Sequence, residues 1–253
     1  MTVKPDTDTV TVSYYQDLSP DKSLRAFQKG LASMVITDLS KIKSVKVVER
    51  LQLQALLQEM KLGLTGIVDA RTAPRVGRLL GAENMVVGNL TLGSIQATSS
   101  FVSTSTGKIK GSSTVRVDDK MFYDLPIRIV RDFVNIKGIK LTLEEKKAIG
   151  IPHTKNYKAF IYYGQALDAL DEGRWQDAKD LFDKAVKEDP RFALAAEGSS
   201  SCPGVDAPGI DSLKSRSIPE IATMAETAIS TVQEKQSEAD AKADAEDAGG
   251  GGY

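Results

Sequence analysis

KVVERLQLQALLQEM (Lys46–Met60) changes periodicity at one Glu-Arg dipeptide. Val45 to Val48 is a β-branched run and reads as a short strand. Leu53, Leu56, Leu57 and Met60 recur at i, i+3, i+4 and i+7, so a helix follows. Glu49 and Arg50 sit at the change-over. Sequence neighbours do not share a helix face, and in a strand they point to opposite sides. Glu49 near a helix N-terminus is favoured by the helix dipole, which leaves Arg50 to reach an acidic or carbonyl group. A catalytic reading needs a second acid or a His in range. The only His, His153, is over a hundred residues away. The pair therefore reads as a fold junction.

Upstream, TVTVSYY (Thr9–Tyr15) alternates Val10, Val12 and Tyr14 against Thr11, Ser13 and Tyr15, the period of a strand. QDLSPD reads as a turn. Leu24, Phe27, Leu31, Met34, Val35, Leu39 and Ile42 then fall at helical spacing and predict a long amphipathic helix. Downstream, Asp69 to Leu80 reads as a third helix whose regular part starts near Thr72, because Pro74 suits only a first turn. Met85 to Leu92 reads as a strand. Ser94–Thr104 and Lys108–Val117 flank a Gly-containing turn and read as a polar hairpin. Phe122, Leu125, Ile129, Phe133 and Ile136 mark a fourth helix. The order β-α-β-α-α-β-β-β-α predicts an α/β fold, a mixed sheet flanked by helices.

Thr142-Leu-Glu-Glu145 is a capping box and opens a short helix. From Lys155 two helices follow in quick succession, broken at Asp171-Glu-Gly173. Tyr162, Gly173, Trp175, Ala178, Phe182, Ala185 and Pro190 sit at the spacings of a tetratricopeptide repeat, with Ala166 and Ala169 where small residues let two helices approach. One repeat cannot bury its own faces, so it is expected to pack on the first domain or on a partner. Residues 199–216 are a Ser/Gly/Pro-rich linker. Residues 217–236 read as an amphipathic C-terminal helix opened by a second capping box. Residues 237–253 are acidic, rich in Ala and Gly, and expected to be disordered.

The expected domains are a flexible 1–8, an α/β domain over 9–138, a helical region with one repeat over 139–198, and the linker, helix and tail. With 253 residues and 41% apolar composition, a substantial core can form. Basic and acidic residues number 33 and 34, a balance without the basic excess of a nucleic-acid binder. One Cys and one His cannot make a disulfide or a thiolate-imidazole metal centre. Cys202 stands in a loop-like SSSCPGVDAPG with no basic neighbour to activate it. No phosphate-binding glycine motif, nucleophile elbow or zinc-protease motif occurs. No catalytic, cofactor or metal residue is expected. No apolar run reaches the roughly 20 residues of a membrane helix, and no secretory leader is visible. The hairpin faces are too polar for lipid contact.

VTVSYYQDLSPD, the helix beginning GLASMVITDLS, the VVER junction and RVGRLLGA together resemble the curli production assembly/transport component family. The likeness covers about residues 9 to 136, and also extends to the outer-membrane activators of penicillin-binding proteins. It resembles the branch in which this domain precedes a tetratricopeptide repeat. The resemblance implies envelope location, non-enzymatic work, and self-association or partner binding in secretion or assembly. Two features depart from the pore-forming members: the long amphipathic hairpins and the N-terminal lipidated Cys are absent from this sequence. Membrane association is thus expected only through an anchor removed from the chain.

The expectation is a periplasmic or outer-membrane-associated scaffold that is not an enzyme. It is expected to form homo-oligomers and to hold an envelope protein through Tyr162, Trp175 and Phe182 of the repeat groove. Two alternatives are a subunit of an outer-membrane secretion channel and a small-molecule-binding α/β protein.

Overall fold

The computed structural model describes residues 8–59, 68–92 and 94–202, all within one compact unit. Residues 1–7, Met60, the expected C-terminal helix (217–236) and the tail (237–253) lie outside the described residues, as does the linker from 203 onward.

Strand β1 (Asp8–Val12) is central. It pairs in parallel with β3 (Val45–Val47) on one side and β4 (Asn84–Thr91) on the other. β5 (Ile95–Ser103) and β6 (Ile109–Val117) continue the sheet as antiparallel neighbours, giving the order β3-β1-β4-β5-β6. The first strand is shorter than the TVTVSYY alternation predicts. After Val12 the chain swings out: Ser13 N donates to Val86 O at 2.8 Å, and Tyr15 N donates to Gln28 O at 3.2 Å. It returns as a two-residue strand, β2 (Gln16–Asp17), along Asn89–Leu90, where a turn was expected. That detour buries both Tyr14 and Tyr15 instead of setting them on opposite faces.

Helix α1 (Arg25–Ser40) and α4 (Asp124–Lys137) cover one face of the sheet. α2 (Arg50–Glu59) and α3 (Ala73–Leu79) cover the other, burying Leu53, Leu57 and Val76 against Met85, Val87 and Val102. α3 begins at Ala73 with Pro74 in its first turn, and Asp69 Oδ1 accepts from the N–H groups of Arg71 and Thr72 ahead of it. The short α5 (Leu143–Ile149) carries the expected capping box: Thr142 Oγ1 accepts from Glu145 N at 3.1 Å, and Glu145 Oε2 accepts from Thr142 N at 2.8 Å.

Helices α6 (Tyr157–Asp171) and α7 (Trp175–Glu188) form the hairpin read around Gly173, whose φ of +74° ends α6 in a conformation glycine adopts without strain. The four alanines 166, 169, 178 and 185 are all fully buried. A third helix, α8 (Ala193–Ser201), packs on α7 and takes in residues 199–201, which the Ser/Gly composition placed in a linker.

The amphipathic reading of α1 needs correction. Its apolar stripe is buried as expected, but so are Lys29, Gly30 and Asp38 on its other side. The cause is α6, which lies across that second side. A Cβ added to Gly164 would stand 2.0 Å from Ala26 O, so the two backbones are in direct contact. Phe160 packs over Gly30, and its ring lies 4.5 Å from Phe27 and 5.2 Å from Phe122. The hairpin therefore packs on the α/β domain, and its Phe160, Tyr163 and Phe182 share the main core.

Candidate functional site

Glu49 and Arg50 go separate ways. Glu49 is exposed at the start of α2, and its carbonyl accepts from Gln52 and Leu53 N–H. Arg50, the first helical residue, is only 9% exposed. Its Nη1 donates to Asp171 Oδ1 at 2.5 Å and to Tyr14 Oη at 2.9 Å. Tyr14 Oη in turn donates to Asp171 Oδ2 at 2.9 Å. Lys29 Nζ from α1 reaches Asp171 Oδ2 and Asp168 Oδ1, both at 2.9 Å. It also lies 5.3 Å from the centre of the Tyr14 ring. Arg25, further out, approaches Asp168 at 3.4 Å and Glu172 at 3.5 Å.

The chain places these groups by simple local rules. The strand-to-helix change points Arg50 inward where its sequence neighbour points out. Asp168 and Asp171 are three apart, so they share one face of α6. Lys29 sits on α1 between Ala26, which meets the backbone of Gly164, and Gly30, over which Phe160 packs. Two buried cations therefore meet two carboxylates at the joint between the α/β domain and the helical hairpin. Burial opposes the Arg50 charge, but the neighbouring Tyr14 and Asp171 outweigh it and push its pKa up. Burial likewise raises the Tyr14 hydroxyl, against the pull of Arg50. Arg50 stays a cation and Tyr14 a neutral phenol at any physiological pH. Such a set holds two bodies in one register.

Sequence reading placed Arg50 at a junction, with either an acidic or a carbonyl group as its partner. It gave no site role to Tyr14, Lys29, Asp168 and Asp171. The available signal was the Asp168-x-x-Asp171 pair on the side of α6 that carries Gly164.

The three aromatics expected to line a groove differ in access. Phe182 is 1% exposed, sealed by Gly198 of α8 and by the ring of Tyr163, which itself packs on Phe192. Its ring has no surface left for a partner, because the unexpected α8 covers it. Tyr162 and Trp175 are half-buried and keep part of their surface. Trp175 Nε1 has no hydrogen-bond acceptor among the described residues.

His153 Nε2 lies 3.0 Å from the fully buried Asp38 Oδ1, which also accepts from Lys41 Nζ at 2.7 Å. This contact straps the α5–α6 connection to α1. Among the described residues no group of three or more His, Cys, Asp or Glu is placed to hold a metal ion. The hairpin β5–β6 turns Thr98, Ser100, Ser112 and Thr114 to one partly open face, with Arg116 Nη2 donating to Gln96 Oε1 at 2.6 Å. No helix among the described residues is long and apolar enough to cross a membrane.

The β-α-β frame around the Arg50 junction agrees with a family comparison. Residues 6–131 match the family described as curli production assembly/transport component CsgG. This CsgG-like domain ends within α4, so the helical hairpin lies beyond the match. No curated protein matches the chain. Among solved structures, the chain is similar to the LpoB C-terminal domain from Escherichia coli, at 14% identity and a TM-score of 0.33, covering 47% of this chain and 87% of that one. It is similar to Lipoprotein GNA1162 from Neisseria meningitidis, at 17% identity and a TM-score of 0.37, covering 53% and 99%. It is also similar to the PelC dodecamer from Paraburkholderia phytofirmans, at 14% identity and a TM-score of 0.27, covering 43% and 70%.

Proposed function

We propose that the chain is a non-catalytic scaffold of the bacterial envelope, periplasmic or associated with the outer membrane. It works by self-association and by holding a protein partner. The observation that carries this reading is the joint itself: a CsgG-like domain bears a helical hairpin locked to it by Arg50, Lys29, Asp168 and Asp171. The most distinctive buried polar groups of the molecule are spent on orienting one module against another. That is the construction of a presenting platform.

In this reading α6–α7 is a single tetratricopeptide-type repeat, and Tyr162 and Trp175 are its partner-facing aromatics. Exposed Trp and Tyr are the residue types that dominate interface energetics. Phe182 supports them from the core. Self-association is supported by the sheet edge: β6 is last in the strand order, and Ile109 at its start is 53% exposed. A free strand edge beside an exposed apolar side chain is a template for pairing with another chain.

The test is a photo-reactive phenylalanine analogue placed at position 162 or 175 in the full chain, in living bacteria. Crosslinks to one defined envelope protein, or to a second copy of the chain, support the reading. Crosslinks to cytosolic proteins only, or a chain recovered only in the cytosol, contradict it.

A further inference from the structure

A groove of about 700 Å³ runs between the C-terminal half of α4, the 138–142 connection and α5. Three cations, Arg131, Lys140 and Lys146, line it, and no acidic side chain does. None of the three makes an ion pair or a side-chain hydrogen bond among the described residues. Two acids of the same stretch are committed elsewhere: Asp132 accepts from Ser113, and Glu145 closes the α5 cap and accepts from Lys43 N, while the exposed Glu144 does not line the groove. The floor is apolar. Val134 and Ile149 belong to the main core and are nearly closed to solvent, and the half-buried Ile139 and Leu141 packed against that core supply the open apolar surface. In a chain of net charge −1, this is a local concentration of unneutralised positive charge over a fixed apolar surface.

We propose that this groove binds a single-chain anionic amphiphile, an alkyl or acyl chain ending in a carboxylate or phosphate. The charge complementarity selects the head: Lys and Arg donors pair with such oxygens through charge-assisted hydrogen bonds. Half-buried Ile139 and Leu141 meet the tail, since the apolar surface they still expose adds, once removed from water, binding energy that a bare anion cannot gain. The volume lies within the range of small-ligand sites, about 300–1,000 Å³. The floor belongs to the folded core, so little ordering is needed on binding.

The probe is dodecyl phosphate below its micelle threshold, titrated into the full chain by calorimetry. Inorganic phosphate, dodecyl maltoside and phosphatidylglycerol vesicles are run beside it. The proposal expects saturable binding of about one dodecyl phosphate per chain, weakened by added salt. It expects no comparable binding of phosphate or maltoside. The double variant K140E/K146E should lose at least about tenfold in affinity. K184E, altered at an exposed lysine of α7, should bind as wild type. Both lysines of the double variant are exposed, and an unchanged melting curve confirms that it folds. Equal binding by dodecyl maltoside, full binding by phosphate alone, unchanged affinity in K140E/K146E, or binding to vesicles but not to monomeric dodecyl phosphate would each overturn the site.

Discussion

Arg50 Nη1 and Asp171 Oδ1 stand 2.5 Å apart although 121 residues separate them in sequence. One belongs to the first turn of α2 in the CsgG-like domain, the other to the last turn of α6 in the hairpin. Tyr14 bridges them, and Lys29 joins from α1.

Removing one partner of a buried ion pair leaves the other charge without compensation. Asp171→Leu should therefore destabilise the chain by about 3–5 kcal/mol. Arg50→Met alone should cost less, because Lys29 still neutralises Asp171. The double variant Arg50→Met/Asp171→Leu should recover part of the loss, since matched apolar groups often replace a buried pair without penalty. Urea denaturation of the three variants measures this. Strict additivity would mean that the two side chains are not coupled.

Gly164 sets the spacing of α1 and α6. Gly164→Ala gains about 1 kcal/mol of helix propensity. It also puts a methyl 2.0 Å from Ala26 O, a backbone atom that cannot turn aside. The clash should win, for a net loss of about 1–3 kcal/mol. Thermal melting reads it, and a stabilised variant would show that the helices are not in contact.

The expected fold was legible where periodicity carried it. The stripe from Leu24 to Ile42 is buried throughout, as are Leu53 and Leu57 of α2 and Phe122, Leu125, Ile129 and Phe133 of the fourth-helix stripe, whereas Ile136 at its end is 37% exposed. The Thr142–Glu145 cap was legible because four residues close it locally. The joint was not legible, since its members come from four separate elements and no local pattern pairs Arg50 with Asp171. α8 was missed for a different reason: Gly198 and Ser199–Ser201 are weak helix formers, and the helix is held by Gly198 packing on Phe182. Tertiary contact overrides composition there, and it also removes Phe182 from the surface.

Glu145 makes stability depend on pH. Its carboxyl is held below the usual glutamate range, first by the Lys43 N–H and then by the Thr142 N–H donating to it. A lowered folded-state value contributes stability that is full above the unfolded pKa, about 4.3. That contribution is lost as pH falls through the folded value. Wild type should thus lose stability more steeply than Glu145→Gln on acidification below about pH 4.3, and the two should converge at low pH. Denaturation midpoints taken across that range check it; parallel curves would contradict it.

The aromatics of the hairpin should separate by variant. Phe182→Ala removes a sealed core ring and should cost about 3–5 kcal/mol with loss of helicity. Trp175→Ala and Tyr162→Ala should keep most of the helical signal and lose the crosslinked partner. Circular dichroism beside the crosslinking assay reads both. Loss of helicity in Trp175→Ala with partner capture intact would make Trp175 a folding residue only.

Self-association of the full chain is the central property of the proposed scaffold. Its native mass, measured by light scattering on a sizing column over a range of concentrations, should be a discrete multiple of 27.3 kDa. A mass of 27.3 kDa at every concentration would contradict it.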